Sequence, residues 1–130
     1  MLSNRIGRAF IIELELKNFN VAEWRVLLTI AQNAPTTGIK ITSQWAMDKM
    51  TVNRSIASLH KRGLIQKKNN QDRRKIDLVL TPSGVIAYRD ILPIANDRYH
   101  KIMESLSKTE EQSLRQTLLK IINHIDNATE

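Results

Sequence analysis

Two short strand-like runs in the middle of the chain most constrain how it can fold. They are LIQKK (64–68) and KIDLVL (75–80), and the second carries apolar residues at every other position. Such alternation is typical of a strand, and the polar NNQDRR segment between the runs is typical of a hairpin turn. Arg73 and Arg74 would lie at its tip, where they can bury nothing. The sequence therefore predicts one antiparallel hairpin.

Helical periodicity accounts for most of the remaining chain, since apolar residues recur three or four positions apart. The expected helices cover 2–17, 21–33, a short stretch from Thr42 or Ser43 to Ala46, 48–62, a long stretch from Thr81, and a last helix that begins with a capping box at Ser107 and Glu110. Asn20 and Glu23 form a similar box before the second helix. Asp48 is the expected cap of the fourth helix, and Gly63 its stop. The IKI segment (39–41) is expected to form a short strand.

The order of these elements is that of a winged helix–turn–helix: helix, helix, strand, helix–turn–helix and two-stranded hairpin. The sequence thus predicts a mainly α fold with a small antiparallel β wing. An α-helix fits the major groove of DNA, and side chains in its N-terminal half can reach base edges. The candidate DNA-binding residues of this region are Ser43, Lys49, Thr51, Asn53, Arg54 and Ser58.

The hairpin tip suggests a second contact with DNA. A narrow minor groove has a strongly negative potential that favours arginine. We therefore expect Arg73 and Arg74 to enter the minor groove beside the recognition helix, although a solvated tip is the alternative. Asp72 is expected to pair with a nearby arginine and to hold the tip in shape.

The charge distribution also indicates a polyanionic partner. The net charge is +7, and residues 43–75 alone contain nine basic and two acidic side chains. A block of this kind is typical of nucleic-acid binding, and a solvated lysine-rich face is the alternative. Within it, Lys67 and Lys68 are expected only to attract distant phosphates or to aid solubility.

The chain has no cysteine. This excludes disulfides, thiol catalysis and cysteine–zinc sites, and it fits a reducing cytoplasm.

Several motifs resemble those of the MarR family of bacterial transcriptional regulators. MDKMTVNRSIASLHKRGLI (47–65) is similar to the family's recognition helix. DRRKIDLVLTPSG (72–84) is similar to its Asp-x-Arg wing followed by Leu-Thr-x-x-Gly. LSNRIGRAF and AEWRVLLTIA resemble its first two helices, so the resemblance covers nearly the whole chain.

The resemblance implies an obligate homodimer that binds a near-palindromic operator, usually as a repressor and often released by a small ligand. Residues 1–18 and 85–130 would form the dimerisation layer, and 19–84 the DNA-binding region. This agrees with apolar seams of alternating three- and four-residue spacing in the last two helices. The expected dimer contacts are Ile6, Phe10, Tyr99, Ile102, Leu114, Leu118, Ile121 and Ile125.

Other functions fit these residues less well. A sequence-indifferent or architectural DNA-binding protein is the main alternative. An enzyme is not expected, because no nucleophile–base pair, phosphate-binding loop or metal-ligand spacing is present. We expect no cofactor, metal or membrane segment. Trp24 and Tyr88 could line a pocket for a small aromatic or apolar effector, with core packing as the alternative.

Overall fold

The computed structural model describes the backbone of residues 2–128 and the side chains of residues 7–128. The chain divides into two units, Met1–Ala95 and Asn96–Glu130. In chain order the elements are α1 (Leu2–Leu16), α2 (Val21–Asn33), α3 (Gly38–Trp45), α4 (Lys49–Lys61), β1 (Ile65–Asn69), β2 (Ile76–Leu80), α5 (Pro82–Met103) and α6 (Lys108–Ala128). None of the described helices is both long and apolar enough to cross a lipid bilayer.

The capping box predicted for α2 is confirmed. The Asn20 side chain accepts from the Glu23 backbone N–H at 2.7 Å, and the Glu23 carboxylate accepts from the Asn20 N–H at 3.1 Å. These contacts use backbone donors that have no partner within the helix, so they fix where α2 begins. The helix then buries Trp24 and Leu27 in the core.

The strand predicted at residues 39–41 is wrong, because this segment is helical and belongs to α3. Thr37 caps the helix, with its hydroxyl accepting from the Lys40 N–H at 3.3 Å. Ile41 is buried and Ile39 exposed. Three residues are too few to separate a two-residue period from a helical one. The β contact near this segment is instead a bridge between Thr36 and Leu78.

The predicted boundaries of α4 are confirmed. Asp48 is its N-cap, and Gly63 follows the helix with a φ of 74°, a left-handed conformation that favours glycine. Val52, Ile56 and Leu59 face the core, as their spacing predicts. The exposed side of the helix is thereby turned away from the core.

The hairpin pairs β1 with β2 in antiparallel register, from Ile65 opposite Leu80 to Asn69 opposite Ile76. Ile65 and Leu78 anchor it in the core. The core of the first unit is formed by mostly aliphatic side chains from its helices and its hairpin. Its buried members are Leu14, Phe19, Trp24, Val26, Leu27, Ile30, Ile41, Val52, Ile56, Leu59, Leu64, Ile65, Leu78 and Ile91.

In the second unit, the end of α5 is tied to α6. The Tyr99 hydroxyl donates to Glu111 at 2.5 Å, and Arg115 donates to both residues. Ser107 and Glu110 form the predicted capping box at the start of α6. No residue of α6 is buried within the described chain. Its large apolar side chains are 40–54% exposed: Leu114, Leu118, Leu119, Ile121, Ile122 and Ile125.

Candidate nucleic-acid interface

The exposed face of α4 begins at a well-defined N-terminus. The Asp48 carboxylate accepts from the Thr51 N–H at 2.9 Å and from the Thr51 hydroxyl at 2.6 Å. These hydrogen bonds, led by the hydroxyl contact, lower the pKa of Asp48. Lys49, Asn53 and Arg54 then project from the exposed side. This end of α4 therefore presents cations and an amide on a helix whose rotation is fixed by its buried face.

Two of the predicted DNA-binding hydroxyls have partners within the protein. Ser58 donates to Glu23 at 2.7 Å, and Arg62 donates to the same carboxylate oxygen at 3.2 Å. Thr51 donates to Asp48. Each hydroxyl oxygen retains acceptor capacity, so both residues could still accept hydrogen bonds from a base or a water.

The wing tip is shaped by side chain to backbone hydrogen bonds. The Asp72 carboxylate accepts from the Arg74 backbone N–H at 3.0 Å, and the Asp72 N–H donates to Asn70 at 2.8 Å. Asp72 therefore holds the tip through the backbone N–H of Arg74, and not through the arginine side chain that was expected as its partner. Arg73 and Arg74 both have exposed side chains.

A groove of about 580 Å³ separates the exposed side of α4 from the wing. Its lining residues come from α3, α4 and the hairpin: Thr37, Gly38, Ile39, Thr42, Ser43, Lys49, Asn53, Ile56, Ala57, Lys67, Arg74, Lys75, Ile76 and Leu78. Four of these are cations and none is acidic. The groove thus offers positive charge above an apolar floor, which suits a chain of phosphates and deoxyriboses.

The structure brings only some of the predicted DNA-binding residues together. Ser43, Lys49, Asn53 and Arg74 line this groove. Thr51, Arg54 and Ser58 line a smaller cavity of about 360 Å³, which α4 forms with the start of α2. Arg73 is absent from both linings and lies on the exposed tip.

Sequence reasoning missed Lys67 and Lys75 as groove residues. For Lys67 it predicts only a distant or solubilising charge, yet the side chain lines the groove. A signal was present, because side chains two apart on a strand share a face, and Ile65 is the buried residue two positions earlier. Lys68, which points to the other face, is not part of the groove lining.

Of the two proposed effector residues, Trp24 lies in the core and Tyr88 is half-buried against it. Trp24 is 4% exposed and stacks on Tyr88, with ring centroids 5.9 Å apart and an interplanar angle of 18°. The stacked rings fit the core packing given as the alternative, and the effector pocket stays a prediction. Among the described residues, no group of three metal-ligating side chains could hold an ion.

The predicted dimer contacts have different environments. Phe10 is half-buried and packs against the core, and Ile102 is also half-buried. The side chain of Ile6 lies outside the described residues. The other predicted contacts are exposed, from 37% to 54%: Tyr99, Leu114, Leu118, Ile121 and Ile125.

The order of elements and the cationic helix beside a β hairpin define a winged helix–turn–helix DNA-binding protein. The model of the MarR family matches residues 19–76, which run from the residues before α2 to the start of β2. Over these residues the chain is similar to the MarR family of transcriptional regulators.

Two curated relatives are transcriptional regulators. An uncharacterized HTH-type transcriptional regulator of Staphylococcus aureus is 27% identical over 113 residues, which are 86% of this chain and 76% of that protein. The transcriptional repressor MprA of Escherichia coli is 26% identical over 116 residues, which are 87% of this chain and 66% of MprA. These relatives are transcriptional regulators, not enzymes.

Solved structures share the fold over nearly the whole chain. A MarR protein from Peptoclostridium difficile matches with a TM-score of 0.88 at 21% identity, covering 98% of this chain and 84% of that one. The Staphylococcus aureus MepR–DNA complex matches with a TM-score of 0.86 at 18% identity, covering 96% of this chain and 91% of MepR.

Proposed function

We propose that this chain is a MarR-type transcriptional regulator, and that it acts as a homodimeric, sequence-specific repressor of a near-palindromic operator. The observation that carries the proposal is the groove between α4 and the wing. It places Lys49 and Asn53 opposite Arg74, with no acid in its lining. This surface combines groups that contact phosphates with an amide that can read a base edge.

In this proposal α4 enters the major groove, with Asn53 and Arg54 toward the bases. One strand of the DNA, at the edge of the major groove, lies between α4 and the hairpin. There Lys49, Lys67 and Lys75 neutralise its phosphates. Arg73 and Arg74 then reach the neighbouring minor groove. A narrow minor groove has a negative potential that favours guanidinium groups. Each part of the proposed contact thus uses an exposed side chain.

The dimer is proposed from apolar surface that the monomer leaves uncovered. Leu114, Leu118, Ile121 and Ile125 of α6 are 40–54% exposed and recur every three or four residues. Such a row is typical of a helix that packs against another helix. With two-fold symmetry, the two recognition helices would read half-sites roughly 34–36 Å apart.

The proposal includes repression and release by a small effector. Repression is suggested by MprA, which is described as a repressor. An aromatic or apolar effector at Trp24 and Tyr88 would have to separate two stacked rings, and so would act by shifting a conformational equilibrium. A compound that raises the melting temperature but leaves operator affinity unchanged would contradict this mechanism.

Selection of bound sequences from a random DNA pool tests the main proposal. We expect a near-palindrome whose half-sites are about one helical turn apart. The affinity should fall steeply with salt, because each released counterion contributes to the slope. Equal affinity for every duplex of the same length would instead support a sequence-indifferent or architectural protein.

Two variants distinguish base readout from phosphate attraction. Asn53→Ala should weaken operator binding by about 10-fold or more and leave random-DNA binding nearly unchanged. Lys67→Ala should weaken both to a similar degree and reduce the salt slope by about 0.9 for each phosphate that the variant no longer neutralises. If both variants affected operator and random DNA equally, base readout by Asn53 would be rejected.

A further inference from the structure

One large apolar side chain on the recognition helix is left exposed by the fold. Met50 has 71% of its surface accessible, whereas the other large apolar residues of α4, Val52, Ile56 and Leu59, are at most 9% accessible. Met50 therefore contributes little to core packing. Its side chain is therefore free to contact a partner on the exposed side of α4.

The position of Met50 on the helix is informative. Arg54 and Ala57 are four and seven residues further along, so the three share one face, and all are exposed. Asn53, three residues on, borders the same face and lines the groove to the wing. Met50 thus lies in the first turn of α4, among the residues proposed to face the bases.

The surroundings of Met50 do not resemble a protein-binding patch. The exposed apolar residues of α6 form a continuous row, which is typical of helix packing. Met50 instead stands between Lys49, Asn53 and Arg54, which are polar or cationic. A contiguous apolar patch is the usual mark of a protein interface, and the residues directly beside Met50 in the helix are Lys49 and Thr51.

An apolar side chain among cations suits a partner that is polyanionic yet locally apolar. In the major groove of DNA this combination occurs at thymine, whose C5 methyl group projects into the groove. A methionine is long, unbranched and polarizable, so it can adjust to such a group. Ala57 is small enough to let the duplex approach closely on the same face.

We propose that Met50 is a specificity-determining residue that packs on the C5 methyl groups of thymine in each operator half-site. The inference rests on the proposed function, since it requires α4 to lie in the major groove. It adds that the half-site contains thymine at the position met by the first turn of α4. Asn53, which can pair with adenine N6 and N7, would read an adjacent A·T pair.

The test compares thymine with deoxyuridine, which lacks only the C5 methyl and keeps the same base pairing. Full-length wild-type protein is titrated with the selected operator carrying uracil at one thymine position, symmetrically in both half-sites. We expect a loss of affinity of about 15-fold at one such position. Burying one methyl group changes the affinity by about fourfold, and the two half-sites multiply this effect. Uracil at the other thymines of the same operator is the matched control.

Protein variants assign the effect to Met50. Met50→Ala should bind the thymine operator about as weakly as wild type binds the uracil operator, with little further loss on uracil. Met50→Leu, which keeps an apolar side chain, should retain most of the sensitivity to the methyl group. Because Met50 is exposed, all variants should melt near the wild-type temperature.

The outcomes separate three claims: methyl readout, its assignment to Met50, and the proposed function. If uracil has no effect at any thymine, methyl readout is wrong. If uracil weakens Met50→Ala as much as wild type, another residue reads the methyl and the assignment to Met50 is overturned. In both cases the operator is still bound, so the proposed function survives. Failure to select any operator would instead reject the proposed function itself.

Discussion

At the scale of single residues, Gly84 shows how a short motif serves the fold. A Cβ atom at this position would lie 1.9 Å from the backbone oxygen of Leu64. The preceding Thr81 accepts from the Gly84 N–H at 3.0 Å and donates to the Gly63 carbonyl at 2.6 Å. The Leu-Thr-x-x-Gly sequence therefore joins the start of α5 to the end of α4.

Replacing Gly84 with alanine should destabilise the protein. Since the clash is with backbone rather than with a mobile side chain, we expect a loss of about 2–4 kcal/mol in the free energy of unfolding. Gly7→Ala is the matched control, because its Cβ would meet only the Ile11 side chain at 3.9 Å. It should be neutral or stabilising by up to about 1 kcal/mol. Urea unfolding of both variants gives the comparison.

Glu23 is a second residue with several structural roles. Its buried carboxylate accepts from the Asn20 N–H, the Ser58 hydroxyl and the Arg62 guanidinium. Arg62 also lies over the Phe19 ring, 4.4 Å from its centroid. Glu23 thereby ties the start of α2 to the C-terminal half of α4 and its cap.

We expect Glu23→Ala to lower the free energy of unfolding by about 2–3 kcal/mol, because three donors lose their acceptor. The exposed Glu15→Ala variant should stay within about 0.5 kcal/mol of wild type. A double-mutant cycle with Ser58→Ala should show coupling, since the two residues share a hydrogen bond. Independent, additive effects would contradict this anchoring role.

At the scale of elements, the N-terminus of α4 gives a prediction about pH. Hydrogen bonds from Thr51 hold the pKa of Asp48 below its ordinary value of 3.8. The folded state therefore favours the ionised carboxylate, and its stabilisation is present at neutral pH. It should be lost as the pH falls below about 4 and through the lowered pKa.

Urea unfolding of wild type and Asp48→Asn between pH 7 and pH 3 would measure this effect. The wild-type protein should be more stable near neutral pH, and the difference should shrink toward pH 3. Asp90→Asn provides a control at an exposed residue outside α4. A difference that grew on acidification would show that the ionised carboxylate does not stabilise α4.

At the scale of the whole molecule, the exposed apolar row of α6 is the proposed dimer contact. Leu118 is 50% exposed in the monomer and lies in the middle of this row. Leu118→Glu should weaken the dimer by more than about 2 kcal/mol, because a two-fold interface contains the buried charge twice. Operator affinity should fall with it, since each recognition helix would then bind alone.

Sedimentation equilibrium measures the dimer constant, and titration with operator DNA measures the consequence. Gln116→Glu is the matched control, because it adds the same charge to the exposed opposite side of α6. A monomeric wild-type protein, or a Leu118→Glu variant that dimerises normally, would exclude the proposed interface.

Local sequence signals predicted most of the elements and part of the candidate interface. The cap residues at Asn20 and Asp48 fixed the starts of α2 and α4, because they satisfy backbone donors within three residues. Gly63 fixed the end of α4 through its backbone conformation. The error at residues 39–41 arose because a three-residue run cannot distinguish strand from helix periodicity.

The sequence alone thus determined most helix boundaries, the hairpin, the positive block and the family resemblance, because each depends on residues close together in the chain. Only the tertiary structure decided which basic side chains line the same groove. Lys67 and Arg74 join Lys49 around one groove, whereas Ser58 turns to Glu23, 35 residues earlier. These long-range contacts depend on how β1 and α4 pack on the core, and no local sequence pattern encodes that packing.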